Sequence, residues 1–297
     1  MKPIVERVGL WTNVLDSLPL SGAQEIVAEL DEQGWGSLWF GEAYGREALT
    51  AAYAYLSASR RMAVGTGIAN IYARDAFATA AAARTLHAAH PGRFVLGLGV
   101  SHVPLVERMR GHEYGRPVAA MSAYLDGLDA AAAIVPGEAE SPPRVLAALG
   151  PRMIELSRDR AQGAHPYLVV PEHTAKTREI LGEGPLLVVE QAVVVDPRAE
   201  NDVDLWRTYA HGHLEIYTGL PNYRSSWLRQ GFDESDFVRG GSERLKEAMV
   251  ARGLDATVRR IREHLDAGAS TVLLQVLGED FTTVPRADWA RLAQAVL

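Results

Sequence analysis

Eight short apolar runs alternate with longer segments of helical periodicity along the 297 residues, and this alternation constrains the fold more than any other feature. Several runs are apolar at nearly every position, as strands covered on both faces must be. The predicted strands are Val8 to Thr12, Ser37 to Phe40, Met62 to Ile68, Phe94 to Leu98, Val145 to Leu149, His165 to Val169, Leu186 to Val194 and Thr271 to Val276. The predicted helices span residues 21–33, 46–58, 75–90, 116–133, 151–161, 172–182, 198–217 and 285–296. Eight alternating units in a chain of this length predict an α/β fold of the (β/α)8 TIM-barrel type and not an open sheet.

One connection is too long to be an ordinary link between a helix and a strand. It spans residues 218–253, after the seventh predicted strand, and we interpret it as an insertion that covers the mouth of the barrel. Residues 254–267 predict a further amphipathic helix before the last strand. The chain contains no long Pro-, Gly- or Ser-rich linker, and its length alone allows one barrel or two ordinary domains. With eight alternating units in one barrel, we expect residues 1–297 to form a single domain.

The composition excludes several classes of function. A net charge of −7, with the acidic residues scattered along the chain, argues against a nucleic-acid-binding surface and favours a small-molecule partner. The absence of cysteine excludes disulfides, thiolate nucleophiles and cysteine-based zinc sites. Residues 1–7 lack the apolar stretch of a signal peptide and no later run is long enough to span a membrane, so the expected location is the cytoplasm.

Ligands of a barrel bind where its strands end, so the polar residues that follow the apolar runs are the candidates for function. Taken strand by strand, these residues are Glu42, Asn70, Tyr72, Ser101, His102, Gly150, His173 and Thr174. We interpret His102 as a catalytic residue because histidine titrates near neutral pH, although it would also suit the start of the next helix. Glu42 either orients or protonates a substrate or stabilises the N-terminus of the second helix, where the dipole favours a carboxylate.

Two backbone segments favour contact with a ligand. Residues 65–70 place Gly65 and Gly67 inside a buried strand, which indicates either a bulge behind a ligand or packing against a helix. Residues 147–151 end a strand with small side chains and start a helix with Pro151 in its preferred first position. Since helix N-termini bind phosphate, this turn is the predicted phosphate site, although its sequence also suits an ordinary strand-to-helix turn.

Aromatic residues supply the candidates for substrate binding, namely Trp11, Tyr44, Tyr167, Tyr223 and Trp227. Most aromatic side chains belong to the core, so Tyr223 and Trp227 are favoured because they lie in the predicted insertion. His211 and His213 point to different faces of a predicted helix, so we interpret them as structural or exposed and predict no metal site.

Four segments together resemble the bacterial luciferase-like barrel superfamily, and within it the actinobacterial branch that uses the 8-hydroxy-5-deazaflavin coenzyme F420. They are residues 38–43 (Leu-Trp-Phe-Gly-Glu-Ala), 65–75 (Gly-Thr-Gly-Ile-Ala-Asn-Ile-Tyr-Ala-Arg-Asp), 92–102 (Gly-Arg-Phe-Val-Leu-Gly-Leu-Gly-Val-Ser-His) and 171–175 (Pro-Glu-His-Thr-Ala). Residues 220–224 with Gly231 and Phe232 are similar to the insertion of that branch. The resemblance spans nearly the whole chain. It implies hydride transfer between F420 and a small organic substrate, with reduction of an activated C=C or C=N bond as the expected reaction.

The resemblance also implies which residues contact the cofactor. The ring would rest on a bulge with a non-prolyl cis peptide between Gly67 and Ile68. The remaining cofactor contacts that it implies are Ala69, Asn70, Gly99, Val100, Ser101 and His102 near the ring, and Ala148, Leu149 and Gly150 at the phosphate. Some deazaflavin dehydrogenases carry an Asp-His pair after the second strand and a glutamate after the fourth, whereas this chain has Glu42-Ala43 and His102. The proton-transfer arrangement of those sugar-phosphate-oxidising relatives is therefore not expected here. Relatives are often homodimers, so a homodimer is expected.

Three other functions remain open at this stage. An FMN-dependent monooxygenase on the same barrel would need a separate flavin reductase. A metal-dependent barrel hydrolase is disfavoured because Trp11-Thr12-Asn13 ends the first strand without the paired histidines that such sites use. A noncatalytic barrel that binds a ligand through its aromatic insertion would show no turnover.

Overall fold

Parallel strands make up the sheet of the computed structural model, which describes residues 7–134 and 140–297. The strands are β1 (Val8–Trp11), β2 (Ser37–Phe40), β3 (Ala63–Thr66), β4 (Ala69–Asn70), β5 (Phe94–Gly99), β6 (Arg144–Ala147), β7 (Gly163–His165), β8 (Leu186–Val194), β9 (Val250–Arg252) and β10 (Thr271–Val276). β10 pairs with both β1 and β8, which closes eight strands into a barrel. The short strands β4 and β9 pair with β5 and β8. The predicted (β/α)8 barrel is therefore confirmed. Residues 1–6, on which most of the prediction about the N-terminus rests, lie outside the described ranges.

Helices surround the barrel and also cover one of its ends. They are α1 (Leu20–Gln33), α2 (Ala48–Ala58), α3 (Ala76–Ala89), α4 (Pro117–Ala132), α5 (Pro151–Arg160), α6 (Pro171–Leu181), α7 (Pro197–Asn201), α8 (Val203–Tyr217), α9 (Pro221–Arg229), α10 (Glu243–Met249), α11 (Gly253–Asp266) and α12 (Arg286–Val296). Across the described residues, every helix is too short or too polar to cross a lipid bilayer.

The segment predicted as a helix at residues 198–217 is helical, but it is not part of the barrel wall, where the eight alternating units had placed it. The segment is divided into α7 and α8 at Asp202, whose carboxylate accepts hydrogen bonds from the amides of Asp204 (2.9 Å) and Leu205 (3.1 Å) and so caps α8. The place of the seventh barrel helix is taken by α11, which packs against α6, α12, β8 and β10. The insertion between the seventh and eighth barrel strands therefore spans residues 197–252 and not 218–253.

Three strands differ from the prediction by two residues or more at one end, while the first and fourth predicted strands differ by one residue. The run from Met62 to Ile68 is interrupted after β3, and the fifth strand is Arg144–Ala147 instead of Val145–Leu149. The sixth strand is Gly163–His165 instead of His165–Val169, because Pro166 has no amide hydrogen for the ladder and Leu168 has a φ of 56°. The apolar residues 167–169 are buried as an irregular loop at the end of the barrel.

Side chains on each strand alternate between two apolar layers. On β2, Leu38 and Phe40 belong to the layer between the barrel and its helices, where α1 contributes Ile26 and Leu30 from its buried stripe. Trp39, which points the other way, belongs to the second cluster, inside the barrel. The interior is therefore packed with side chains below the end of the strands, and a ligand can enter only from the mouth.

Candidate active site

A cavity of about 990 Å³ opens at the C-terminal ends of the strands, beneath α8 and α9. Its volume is at the upper end of the range for small-molecule sites. The predicted site residues that line it are Trp11, Glu42, Tyr44, Gly67, Ile68, Gly99, Val100, Ser101, His102, Ala148, Leu149, Gly150, Tyr167 and Tyr223. Tyr44 lies only at the rim, where 77% of its surface is exposed. The structure thus brings side chains from many strands to one place.

A backbone bulge between β3 and β4 forms part of the cavity wall. Its peptide bond between Gly67 and Ile68 is cis, as the family resemblance implied. The carbonyl oxygen of Gly67 accepts a hydrogen bond from Trp11 Nε1 (2.9 Å), and that of Ile68 accepts one from the amide of Glu42 (3.0 Å). The neighbouring strands therefore fix both carbonyl groups of the bulge.

The bulge lies against two glycines of β5. A Cβ atom at Gly97 would lie 1.8 Å from the carbonyl oxygen of Thr66, and one at Gly99 would lie 2.4 Å from Cγ1 of Ile68. Thr66 Oγ1 also exchanges hydrogen bonds with the backbone of Gly97, at 2.7 and 2.8 Å. The space that these two glycines leave is therefore filled by the bulge.

Glu42 is engaged in structural hydrogen bonds. Its Oε2 accepts from the amide of Asn70 (2.8 Å), and its Oε1 accepts from the amide of Ala48 (3.2 Å) and pairs with Arg74. Ala48 is the first residue of α2, so the structure favours the interpretation of Glu42 as a carboxylate at a helix N-terminus. Because both oxygens already have donors, the prediction of a catalytic Glu42 is not supported. Ala69 and Asn70 are buried behind the bulge and do not reach the cavity wall.

His102 lies in the loop after β5, and its imidazole faces the cavity. Its ring centroid is 5.8 Å from that of Tyr223, and it forms no side-chain hydrogen bond with the described residues. The alternative interpretation, that His102 starts the next helix, applies only to its backbone. Its carbonyl oxygen accepts hydrogen bonds from the amides of Leu105 and Val106 (both 3.0 Å) at the turn 104–109. Burial lowers the pKa of His102, so the ring is neutral at neutral pH and is able to accept a proton.

The predicted phosphate turn forms a basic part of the cavity wall. Gly150 is the N-cap of α5 and Pro151 follows it, as the sequence predicted. Arg152 and Arg229 line the same part of the cavity, and Arg229 donates to the carbonyl oxygen of Leu149 (3.2 Å). Arg229 has no carboxylate partner among the residues that the structure describes. Helix amides and two guanidinium groups together favour an anion here.

Carboxylates line a different part of the cavity, in the loops after β8 and β10 and in the first turn of α12. They are Asp196, Glu279, Asp280 and Asp288. Asp196 is paired with Arg198 at 2.8 Å, whereas Asp288 forms no ion pair within residues 7–134 and 140–297. Burial raises the pKa of Asp288, and the nearby Asp196 adds to that effect. The cavity is therefore electrostatically polarised, with its cationic groups near α5 and its anionic groups near β10.

Aromatic rings form a continuous wall between the barrel and the insertion, and we call Trp11, Tyr167, His213, Tyr217 and Tyr223 the aromatic wall. Neighbouring ring centroids in it are 4.8 to 6.3 Å apart. Tyr217 donates to the hydroxyl of Tyr167 (3.1 Å), which donates to Oε1 of Gln275 (2.7 Å). Sequence reasoning missed His213, Tyr217 and Gln275, although Gln275 lies at the end of a predicted strand.

Two buried histidines contribute to the cavity wall without complete hydrogen bonding. His165 Nδ1 lies 2.8 Å from the carbonyl oxygen of Val188, while Nε2 of His165 and Nε2 of His213 have no partner among the described residues. Burial lowers the pKa of each ring to about 4. Both are therefore neutral at neutral pH. His165 was included in a predicted strand but was not recognised as a site residue.

The prediction that Trp227 binds substrate is wrong. This side chain is fully buried (0% exposed) inside the insertion, and its Nε1 donates to the carbonyl oxygen of Leu168 (3.1 Å). The amide of Leu168 in turn donates to Oε2 of Glu190 (3.1 Å). Trp227 thus connects α9 to the loop after β7 and does not line the cavity.

His173 and Thr174 also lie outside the cavity. Thr174 Oγ1 is 2.9 Å from Nδ1 of His264, so it belongs to the contact between α6 and α11. Tyr72 accepts a hydrogen bond from the amide of Gly115 at 3.2 Å and is likewise absent from the cavity wall. Within the described ranges, no three His, Asp or Glu side chains gather closely enough to hold a metal ion.

Glu190 is a carboxyl group inside the barrel, and its titration is expected to reduce stability at high pH. It is 1% exposed, and burial raises its pKa to about 8. Between the unfolded value near 4.5 and about 8, the folded state holds a proton that the unfolded state has lost, so stability falls as pH rises. Glu190→Gln should reduce the loss of unfolding free energy between about pH 6 and pH 9 by about 1 to 3 kcal/mol. Denaturant titrations at both pH values would measure this; an unchanged loss, matching that of the exposed control Glu247→Gln, would contradict it.

Comparison with known proteins identifies the family. Residues 7–268 match the family model described as luciferase-like monooxygenase. A Mycobacterium tuberculosis protein with the provisional name of coenzyme F420-dependent oxidoreductase is 32% identical over 120 residues, which cover 40% of this chain and 35% of that protein. An F420-dependent secondary alcohol dehydrogenase in complex with an F420-acetone adduct has a TM-score of 0.71 at 14% identity, covering 100% of this chain and 98% of that one. The FMN complex of the oxygenating constituent of 3,6-diketocamphane monooxygenase from Pseudomonas putida has a TM-score of 0.71 at 12% identity, covering 98% and 96%.

At these identities the two structures show a shared fold and no more. The family model, by contrast, covers most of the chain, so this protein belongs to the luciferase-like monooxygenase family.

Proposed function

We propose that the protein is a coenzyme F420-dependent oxidoreductase that transfers hydride between the deazaflavin and a small organic substrate, with an activated C=C or C=N bond as the group reduced. The observation that carries this proposal is one cavity that combines the Gly67–Ile68 bulge with a basic helix N-terminus at Gly150. F420 is favoured over FMN by the name of the M. tuberculosis relative.

The residues present fit a ring with a phosphate-bearing tail. Gly67 and Ile68 would support the ring because both line the cavity, and a Cβ atom at position 67 would lie 2.6 Å from Trp11 Nε1. The unpartnered Nε2 of His165 lies 3.0 Å from that same position, so a buried polar atom faces the ring site. The helix start at Gly150, with Arg152 and Arg229, would hold the phosphate.

When bound, a deazaflavin supplies two-electron hydride chemistry without the oxygen reactivity of a flavin. The protein supplies placement and proton transfer. Glu42 positions the bulge through its bond to the amide of Asn70. The helices α8 and α9 contribute residues to the cavity wall and would limit the access of water to the bound ring. The neutral imidazole of His102 would accept the proton released when hydride leaves a substrate carbon, and would return it in the reverse direction.

Parallel titrations of the purified protein with F420 and with FMN, followed by fluorescence, test the proposal. We expect F420 to bind and FMN to bind more weakly. Gly99→Ala provides a matched test of location: its methyl group would lie 2.4 Å from Cγ1 of Ile68, so the Ile68 side chain, which lines the cavity, would have to move. The variant should fold, yet lose affinity for F420 by about 10-fold or more. Undiminished affinity in this variant, or no binding of F420 by the wild type, would contradict the assignment.

An FMN-dependent monooxygenase that receives reduced flavin from a separate reductase is the second candidate. Two observations favour it: one structural relative was solved with FMN bound, and the family to which the chain belongs is described as luciferase-like monooxygenase. Preferential binding of FMN in the same titration would support this alternative.

A further inference from the structure

The direction of the hydrogen bonds in the aromatic wall limits what a substrate can offer to it. Tyr167 uses its hydroxyl hydrogen to donate to Gln275 Oε1 (2.7 Å), and Tyr217 uses its own to donate to Tyr167 (3.1 Å). Both tyrosines and Gln275 line the cavity. Tyr217 is the first donor in this series of hydrogen bonds. Its hydrogen is used, and no donor among the described residues reaches the lone pairs of its hydroxyl oxygen. Its hydroxyl is suited to an N–H or O–H donor and poorly suited to a carbonyl oxygen.

The same wall favours positive charge. Tyr223 stands edge-on to Tyr217, with ring centroids 4.8 Å apart and planes at 71°, and Trp11 and Tyr167 continue the surface at 5.3 Å. Faces of such rings attract cations, more strongly where water is excluded. Burial also keeps the hydroxyl of Tyr217 protonated, because it raises the pKa of Tyr217 to about 12.

The charged residues of the cavity add a longer-range field of the same sign. Four carboxylates line the cavity in the loops after β8 and β10 and in the first turn of α12, namely Asp196, Glu279, Asp280 and Asp288. Arg198 is the cation paired with Asp196 there. The guanidinium groups of Arg152 and Arg229 lie at the other part of the wall, near α5. A ligand with a cationic end would be directed away from the phosphate end of the cavity and towards β10.

We propose that the substrate is an amine and its iminium counterpart, whose N–H donates to Tyr217 while the aromatic wall surrounds the charged nitrogen. This inference rests on the proposed hydride-transfer function and selects C=N over C=C as the reacting bond. The nitrogen carries a hydrogen in both the amine and the iminium, so the hydroxyl oxygen of Tyr217 can accept a hydrogen bond from substrate and product alike. Neither a carbonyl oxygen nor an alkene carbon has a hydrogen to donate to that acceptor.

The step balances with the groups named. In the direction of oxidation, the protonated amine first gives one proton to the neutral imidazole of His102. The C–H bond next to nitrogen then breaks, its electron pair leaves with the hydrogen as hydride to the oxidised deazaflavin, and the nitrogen lone pair forms the C=N bond of the iminium. Reduction is the reverse sequence, with the proton returned by His102.

Five-membered probes of matched shape test the substrate class. Turnover with reduced F420 would be compared for 1-pyrroline, cyclopentanone and 2-cyclopenten-1-one, which offer C=N, C=O and activated C=C bonds. We expect kcat/KM for 1-pyrroline to exceed the others by about 10-fold or more, and Tyr217→Phe to lower it by about 10- to 100-fold. The control Tyr53→Phe, on the outer surface of α2, should leave all three unchanged.

A binding measurement separates the hydrogen bond from the aromatic surface. Calorimetric titration of the complex with oxidised F420 would use pyrrolidine, which has N–H groups, and N,N-dimethylpyrrolidinium, which has none. Tyr217→Phe should weaken only pyrrolidine, by about 10-fold or more.

The outcomes distinguish the two proposals. Binding of F420 with turnover of 2-cyclopenten-1-one or cyclopentanone alone, or a Tyr217→Phe variant that keeps full activity with 1-pyrroline, would overturn the amine assignment and leave the F420 function standing. The amine assignment would also be overturned if none of the amine and imine probes bound or reacted. Failure of F420 to bind would overturn both.

Discussion

His102→Ala is expected to lower kcat by about 10²- to 10⁴-fold while changing the dissociation constant of F420 by only a few-fold, because a positioned acid or base contributes on that scale. The imidazole faces the cavity without a hydrogen-bond partner among the described residues, so its removal breaks no structural bond there. Contacts to the proposed ring come from the backbone at Gly67 and Ile68 and are left intact. Single-turnover kinetics and a fluorescence titration of the same preparation would measure the two quantities.

The pH profile gives this prediction a second readout. Burial lowers the pKa of His102 below its ordinary value of 6.5, and the neutral ring is the base in the direction of substrate oxidation. The rate of substrate oxidation should therefore fall as the pH decreases through the lowered pKa of His102. In His102→Ala this acidic decrease in rate should be absent. Glu42→Gln is the contrasting variant: since Glu42 holds the amide of Asn70, its loss should weaken F420 binding and stability more than kcat. Parallel losses of affinity and turnover in His102→Ala would contradict a proton-transfer role.

Acidification is expected to unfold the protein between about pH 6 and pH 4. Four buried histidines stay neutral in the folded state in this range, whereas the same side chains bind protons in the unfolded state, so acid favours the unfolded state. Burial lowers the pKa of His165, His173 and His213 to about 4 and that of His264 to about 3. Below 6.5 the unfolded chain therefore binds protons that the folded chain does not. Stability falls as pH decreases, by up to about 5 kcal/mol per pH unit for four groups. A domain with a typical stability of about 5–15 kcal/mol would be lost within a few pH units.

Circular dichroism melts at a series of pH values would test this, with His213→Phe as the informative variant. Nε2 of His213 has no partner within residues 7–134 and 140–297, so a phenyl ring removes the titration without removing a hydrogen bond to any of them. The variant should lose about one quarter of the pH dependence. The exposed control His112→Gln should leave the dependence unchanged. A wild-type protein whose Tm is constant from about pH 7 to pH 4 would contradict the burial of these rings as neutral groups.

The fold was largely predictable because buried parallel strands carry a strong local signal. The strands Leu186–Val194 and Thr271–Val276 were predicted to the residue, and each begins directly after a turn or polar residue, Pro185 and Ser270 respectively. The bounds of the sixth strand were predicted wrongly because residues 167–169 are as apolar as a strand. Pro166 and the positive φ of Leu168 prevent these residues from pairing with the neighbouring strands. The segment 198–217 is helical as predicted, but its place in the fold was predicted wrongly, because an amphipathic helix buries one face equally well against a barrel wall or over its mouth.

The site was predictable where the backbone defines it. Residues at the ends of strands lie close together in any such barrel, which is why the bulge at Gly67 and the turn at Gly150 were found. Side chains on the insertion were not, because which face of α8 or α9 meets the cavity depends on tertiary packing. Tyr223 and Trp227 are one turn apart on α9, yet only Tyr223 lines the cavity. Neither aromatic character nor position in the chain distinguishes them.

A crystal structure of the protein with oxidised F420 tests the central claim most directly. The account predicts that the deazaflavin ring lies in van der Waals contact with Gly67 and Ile68 and that the phosphate accepts hydrogen bonds at the start of α5, near Gly150 and Arg229. A ring bound away from the bulge, or a phosphate held by other groups while Gly150 and Arg229 contact only solvent, would contradict it.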